Sequence, residues 1–145
     1  MAKYVETTQE AGKEFFLKYR GKGPIVMLNM LKYRDQADYS AHPELKPEQA
    51  ITGKQAYQEY YQCTQPLLEK VGSRVLFFGD CEGFLIGPES EKWDAVMLVE
   101  HASAEIFVGF AQDEAFQKTA GHRTAALEDS RLLPINQLSL EDLKP

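Results

Sequence analysis

Residues 25–31 read Ile-Val-Met-Leu-Asn-Met-Leu, an almost continuous apolar run in which Asn29 is the only polar side chain. Successive side chains of a β-strand point to opposite faces, so such a segment is apolar on both faces and must be covered on both. Residues 95–99, Ala-Val-Met-Leu-Val, repeat the pattern. Both runs are strand-sized and far too short to cross a bilayer. A fold for this chain therefore has to shelter two-faced strands.

The periodicities on either side supply the remaining elements. Ala11, Phe15, Phe16 and Tyr19 recur at helical spacing, which predicts a first helix over residues 7–20, stopped by Gly21-Lys22-Gly23-Pro24. Residues 33–52 hold Pro43 and Pro47 among polar side chains and read as a long loop, of a length usually given to a lid or a partner-binding segment. Over residues 53–71, Tyr57, Tyr60, Tyr61, Thr64, Leu67, Leu68 and Val71 share one helix face. Pro66 predicts a kink or a division there, because proline removes a backbone donor and crowds the preceding turn. Gly72 is the expected C-cap.

Residues 74–78 read as a strand that runs on or turns back through residues 79–86, residues 87–92 as a turn, and residues 93–100 as a strand. Ser103 is placed to N-cap a helix carrying Ile106, Phe107 and Phe110. A further helical piece starts at Asp113, with helical character towards Leu127. Residues 130–138 read as the last strand, where Pro134 favours an edge or a bulge. The tail, residues 141–145, is expected to be loose.

Without the first helix the order is strand, helix, strand, strand, helix, strand. This predicts an α+β, ferredoxin-like βαββαβ unit with an extra N-terminal helix, one domain over residues 1–145 with its core at 23–138. Helices cover one face of such a sheet. The chain holds no internal repeat to cover the other, so a second copy is expected, giving a homodimer that closes as a dimeric α/β barrel.

Charge narrows the partners. The chain has 22 acidic and 16 basic residues, a net charge of -6, and no basic run, which argues against nucleic acid and against an anionic membrane surface. The first residues lack the apolar stretch of an export signal, so a cytoplasmic protein with free thiols at Cys63 and Cys81 is expected. A small organic ligand is the partner class left open.

Several segments together resemble a known family. Gly23-Pro24-Ile25-Val26-Met27-Leu28-Asn29-Met30-Leu31-Lys32, Ala56-Tyr57 with Tyr60, Gly72-Ser73-Arg74-Val75, Ile86-Gly87-Pro88, Trp93-Asp94-Ala95-Val96 and the stretch from Arg123 to Arg131 are similar, in that order, to the family called domain of unknown function 1330. The resemblance implies a dimeric α/β barrel of ferredoxin-like halves and little chemistry. Wider relatives of that architecture include cofactor-independent monooxygenases, muconolactone isomerases and haem-degrading enzymes, a fold-level analogy only.

In such barrels the cavity lies between a sheet and its own helices, so polar residues on strand ends and helix faces are the candidates. Asn29 needs a hydrogen-bond partner, either backbone or ligand. Tyr57, Tyr60 and Tyr61 pack as core or, with Phe77 and Trp93, line a slot for a flat aromatic ligand. Arg74 binds a carboxylate or enolate, or else pairs with an acidic residue at the dimer edge. Trp93 alternatively anchors an interface, and Asp94 is a candidate general base. His122 is a second candidate base, with Asp129 two helical turns on and Arg123 and Arg131 available to neutralise an anionic intermediate; the same residues also suit capping and ion pairing at a helix-to-strand junction. Ser130 lacks a nucleophile elbow. His42, His101 and His122 show no metal-ligand spacing, and no phosphate-cradling fingerprint precedes a helix, so neither metal nor nucleotide cofactor is indicated. Two functions follow as expectations: a cofactor-independent, monooxygenase- or isomerase-like enzyme for a hydrophobic aromatic or enolisable substrate, or a non-catalytic ligand-binding or structural module.

Overall fold

The computed structural model describes residues 2–145. Strands β1 (Ile25–Tyr33), β2 (Arg74–Asp80), β3 (Ala95–His101) and β4 (Leu127–Ile135) form one antiparallel sheet in the spatial order β2-β3-β1-β4. The two apolar runs thus take the central positions. Pro134 lies in β4, at an edge, where a missing ladder donor is tolerated. Helix α2 (Gly53–Lys70) connects β1 to β2, and α3 (Ala104–Gln112), α4 (Glu114–Thr119) and α5 (Gly121–Ala126) connect β3 to β4. This is the α+β ferredoxin-like order, with α1 (Gln9–Tyr19) added in front.

Cross-strand partners share a face, so the register sorts the sheet's side chains. Met27 opposes Val99 and Leu31 opposes Ala95, and all four are buried in the core with Tyr57 and Leu68 of α2 and Phe110 of α3. The alternate set is Leu28 opposite Leu98 and Leu133, Met30 opposite Val96, Val26 opposite Ile135, and Phe77 opposite Leu98. These apolar residues form the side away from the helices. Phe77 is 57% and Leu133 55% exposed there.

Local signals fix the element ends. Thr8 and Ser103 accept hydrogen bonds from the Ala11 and Ile106 N–H groups and start α1 and α3. Thr52 and Gln55 form a reciprocal capping box at the start of α2, of a kind whose loss costs about 1 kcal/mol. At its other end the Ser73 N–H donates to the Leu68 carbonyl and that of Gly72 to Glu69, a Schellman arrangement that needs the positive φ of Gly72.

Several sequence expectations change. Pro66 lies inside α2 without dividing it. β2 ends at Asp80, and residues 81–94 form an irregular connection to β3, with no returning strand at 82–86. This connection leaves Leu85 fully exposed and Ile86 92% exposed. Trp93 and Asp94 precede β3 instead of opening it, and β4 starts at Leu127, three residues early, as α5 turns directly into it. The tail contains a short 3₁₀ turn (Leu140–Leu143) capped by Ser139. Residues 33–52 are stitched down: the Arg34 and Asp38 N–H groups donate to the Ala126 and Ala125 carbonyls, Gln36 pairs with Thr52, and Tyr39 is buried.

That stitching depends on Gly53. A Cβ there would lie 2.2 Å from the Arg34 carbonyl oxygen and 2.6 Å from that of Ala126. Gly109, exposed on α3, has open space around it. Gly53→Ala should therefore destabilise the fold by more than about 2 kcal/mol, whereas Gly109→Ala should stabilise it by about 0.5–1 kcal/mol. Urea unfolding of both variants measures this; equal effects would contradict it.

Candidate functional site

Between the sheet and its helices lies a cavity of about 330 Å³. Its floor is the helix-facing set of the central strands, Met27 and Asn29 from β1 with Met97, Val99 and His101 from β3. Tyr57, Tyr60, Tyr61 and Thr64 reach it from α2, and Phe107, Phe110 and Phe116 from α3 and α4. Helical spacing brings the first group to one side of α2, and strand alternation brings the floor residues to one face. Arg123 enters from α5. The rim comes from two irregular segments, residues 5–7 and His42.

The N-terminal segment is fastened in place by side chains. Lys3 pairs with Glu128 at 2.9 Å, and the Tyr4 N–H donates to Asp129 at 2.8 Å. Ser130 Oγ donates to the Tyr4 carbonyl at 2.6 Å, Arg123 Nη1 donates to the Val5 carbonyl at 2.6 Å, and Thr124 donates to Glu6 at 2.9 Å.

Donors crowd one end of the cavity. Arg123 makes one further hydrogen bond, from Nη2 to Ser130 Oγ at 3.4 Å. Of the five guanidinium N–H groups these two contacts engage two. Burial raises the Tyr57 and Tyr60 phenols above their ordinary value although the Arg123 charge acts on both, so both hydroxyls stay protonated at neutral pH. The buried Thr64 hydroxyl lies beside that of Tyr60 and offsets part of that phenol's rise. Asn29 Nδ2 reaches the Met27 and Met97 carbonyls only at 3.5 Å, the outer limit of a hydrogen bond.

His101, 2% exposed, was not among the sequence candidates. Its Nδ1 shares a 2.7 Å hydrogen bond with Ser73 Oγ, and the Phe107 ring packs edge-on at 5.0 Å. Burial pushes the imidazole down to about 4, so it is neutral at pH 7. Its position, in alternate step with Met97 and Val99 along β3, was the signal available for it.

Of the expected site residues, Asn29, Tyr57, Tyr60 and Arg123 come together at the cavity. His122 and Asp94 do not. His122 Nδ1 is hydrogen-bonded to the Tyr39 hydroxyl at 2.7 Å, and Asp94 Oδ2 accepts the Tyr33 N–H at 2.8 Å. Arg74 is exposed and pairs with Glu100 at 2.9 Å. Phe77 stands on the far side of the sheet, opposite Leu98. Trp93 is already buried within the chain, with the Arg131 guanidinium 5.0 Å from its ring centre and 5.0 Å from that of Tyr4. Asp129 accepts hydrogen bonds from Arg131 and from the Tyr4 and Ser130 N–H groups, so both belong to the fastening of the N-terminal segment. A second cavity, of about 240 Å³, lies under α2 and shares Tyr57, Tyr61 and Met97 with the first.

A family model described as a domain of unknown function (DUF1330) matches residues 48–135, a span that begins after the Gly23 to Lys32 stretch. No curated protein matches the chain. A solved protein of unknown function from Rhodopseudomonas palustris is 34% identical, with a TM-score of 0.84 over 95% of this chain and 99% of that one. Its methylated form gives 34% identity and a TM-score of 0.85 over 96% and 98%. A dimeric ferredoxin-like protein of unknown function from Jannaschia sp. CCS1 is 11% identical, with a TM-score of 0.53 over 79% of this chain and 100% of that one, a likeness of fold. Among the described residues no helix is long and apolar enough to cross a membrane.

The state of His101 has a measurable consequence. An unfolded histidine titrates near 6.5, so below that pH the unfolded chain binds a proton that the folded chain refuses until about pH 4. Stability is therefore complete above about pH 6.5 and falls as the pH drops towards 4, by roughly 3 kcal/mol for this group. His122, also pushed down by burial, adds to the same slope. Urea unfolding at stepped pH should show a visibly flatter dependence in His101→Gln; an unchanged slope would remove His101 from this role.

Proposed function

Because the chain belongs to the DUF1330 family, whose name carries no activity, we propose a function from the cavity: the protein binds a small, mainly apolar organic molecule between its sheet and its helices. The observation that carries this reading is an apolar cavity lined by Tyr57, Tyr60, Thr64 and Arg123, in which the guanidinium keeps N–H groups beyond its two hydrogen bonds. Ligand pockets are generally about 300–1,000 Å³ and have this composition. A buried donor without a partner costs about 1–3 kcal/mol, which a suitable ligand would recover.

Binding is better supported than proton transfer. His122 and Asp94 are engaged elsewhere, and a histidine with its pKa near 4 is a weak base at neutral pH. A thermal-shift screen of quinols, β-dicarbonyls and aromatic acids tests the reading. A true ligand at a hundred times its Kd should raise Tm by about 10 °C, and Ala111→Phe, which fills the cavity, should abolish the shift. If no compound shifts the wild type more than the filled variant, the cavity is not a ligand site.

We infer further that a second copy covers the bare sheet face, making a homodimer. The support is the apolar set Leu28, Met30, Val96, Leu98 and Leu133 on that face, together with the dimeric state of the Jannaschia relative in fold. Sedimentation equilibrium should give twice the chain mass for the wild type and a single chain for Leu98→Lys. A well-folded solitary wild-type particle at micromolar concentration would overturn the dimer.

A further inference from the structure

Arg123 differs from the chain's ion-paired cations. Arg131 has Asp129, Arg74 has Glu100, and Lys3 and Lys32 share Glu128. Among the described residues no carboxylate lies within ion-pair distance of Arg123, although its side chain is half-buried and faces an apolar cavity. The Val5 carbonyl and the Ser130 hydroxyl are neutral acceptors and leave its charge unbalanced.

The neighbouring groups are donors too. The Tyr57 and Tyr60 hydroxyls line the same cavity and lie in the field of the guanidinium, and the buried Thr64 hydroxyl sits beside that of Tyr60. What such a place lacks is an acceptor that donates nothing and carries one negative charge. A carboxylate supplies two oxygens and about four lone-pair sites. A phosphate dianion fits poorly, since a single guanidinium would leave its second charge among methionine and phenylalanine side chains. Glu6, a carboxylate in the same lining held by Thr124, opposes any anion and a dianion twice as strongly.

We propose that the ligand is an apolar monocarboxylate, an aryl or arylalkyl acid, whose carboxylate meets Arg123 and the Tyr57 and Tyr60 hydroxyls while its ring lies among Met97, Phe107 and Phe110. The proposal rests on the reading of the cavity as a ligand site and adds the chemical class. Bidentate pairing with the guanidinium sets the depth of the carboxylate, and the aromatic walls select a flat body.

Titration calorimetry on the full chain with 3-phenylpropionate and its neutral isostere 3-phenylpropionamide tests it. The acid should bind at least about tenfold more tightly than the amide, the range expected for hydrogen bonds to a charged group. Arg123→Gln should erase that preference. Because Arg123 also fastens Val5, it is measured beside Tyr60→Phe, which leaves that contact intact and should weaken the acid several-fold with little effect on the amide. Equal or tighter binding of the amide to wild-type protein overturns the carboxylate proposal and leaves the cavity reading standing. Silence from both compounds also overturns it, and the fluorescence of N-phenyl-1-naphthylamine then decides the cavity itself: enhancement that Ala111→Phe removes keeps it as an apolar site, and no enhancement removes that too.

Discussion

A β-strand offers its side chains alternately to two faces, and β1 and β3 are apolar on both. Their central placement in the β2-β3-β1-β4 order follows, because an edge position would leave more of that surface in water. The helical layer can shelter one face only. On that side Met27, Leu31, Ala95 and Val99 are buried, and the cavity lies between this face and the helices. The other side keeps Phe77 and Leu133 exposed.

Arg123 joins three parts of the structure. It sits on α5, donates to the N-terminal segment through the Val5 carbonyl and to β4 through Ser130, and lines the same cavity as Tyr57 and Tyr60. Holding the cavity wall and presenting a charge to its interior are thus tasks of one side chain. His101, at the end of β3, is neutral and fixed by Ser73, so it contributes polarity without a second charge. Among the described residues Arg123 is the one arginine or lysine in a lining that is otherwise largely aromatic and aliphatic.

Periodicity made much of this legible. The face of α2 that carries Tyr57, Tyr60, Thr64 and Leu68 follows from spacing alone, and Asn29 stands out as the one polar residue of an apolar strand. What spacing could not resolve was the direction of adjacent residues on short elements. Arg123 and His122 are neighbours on the six-residue α5, and one faces the cavity while the other is held by Tyr39. Asp94 misses the strand by one position, and its carboxylate becomes a backbone acceptor for Tyr33. Residues 33–52 read as a long loop because their order comes from distant partners, the Ala125 and Ala126 carbonyls and the close approach at Gly53. Pro66 did not divide α2, since the flanking face, with Thr64 and Leu68, stays buried.

The mouth of the cavity is made from parts that belong to no ladder. Residues 5–7 and His42 reach it on irregular segments tied down mainly by side chains and a few loop hydrogen bonds, while the pairing of the four strands runs elsewhere. Exchanges in those segments would reshape the entrance and leave the register of the sheet alone. A protein built this way can change its taste for one molecule or another without renegotiating how it folds.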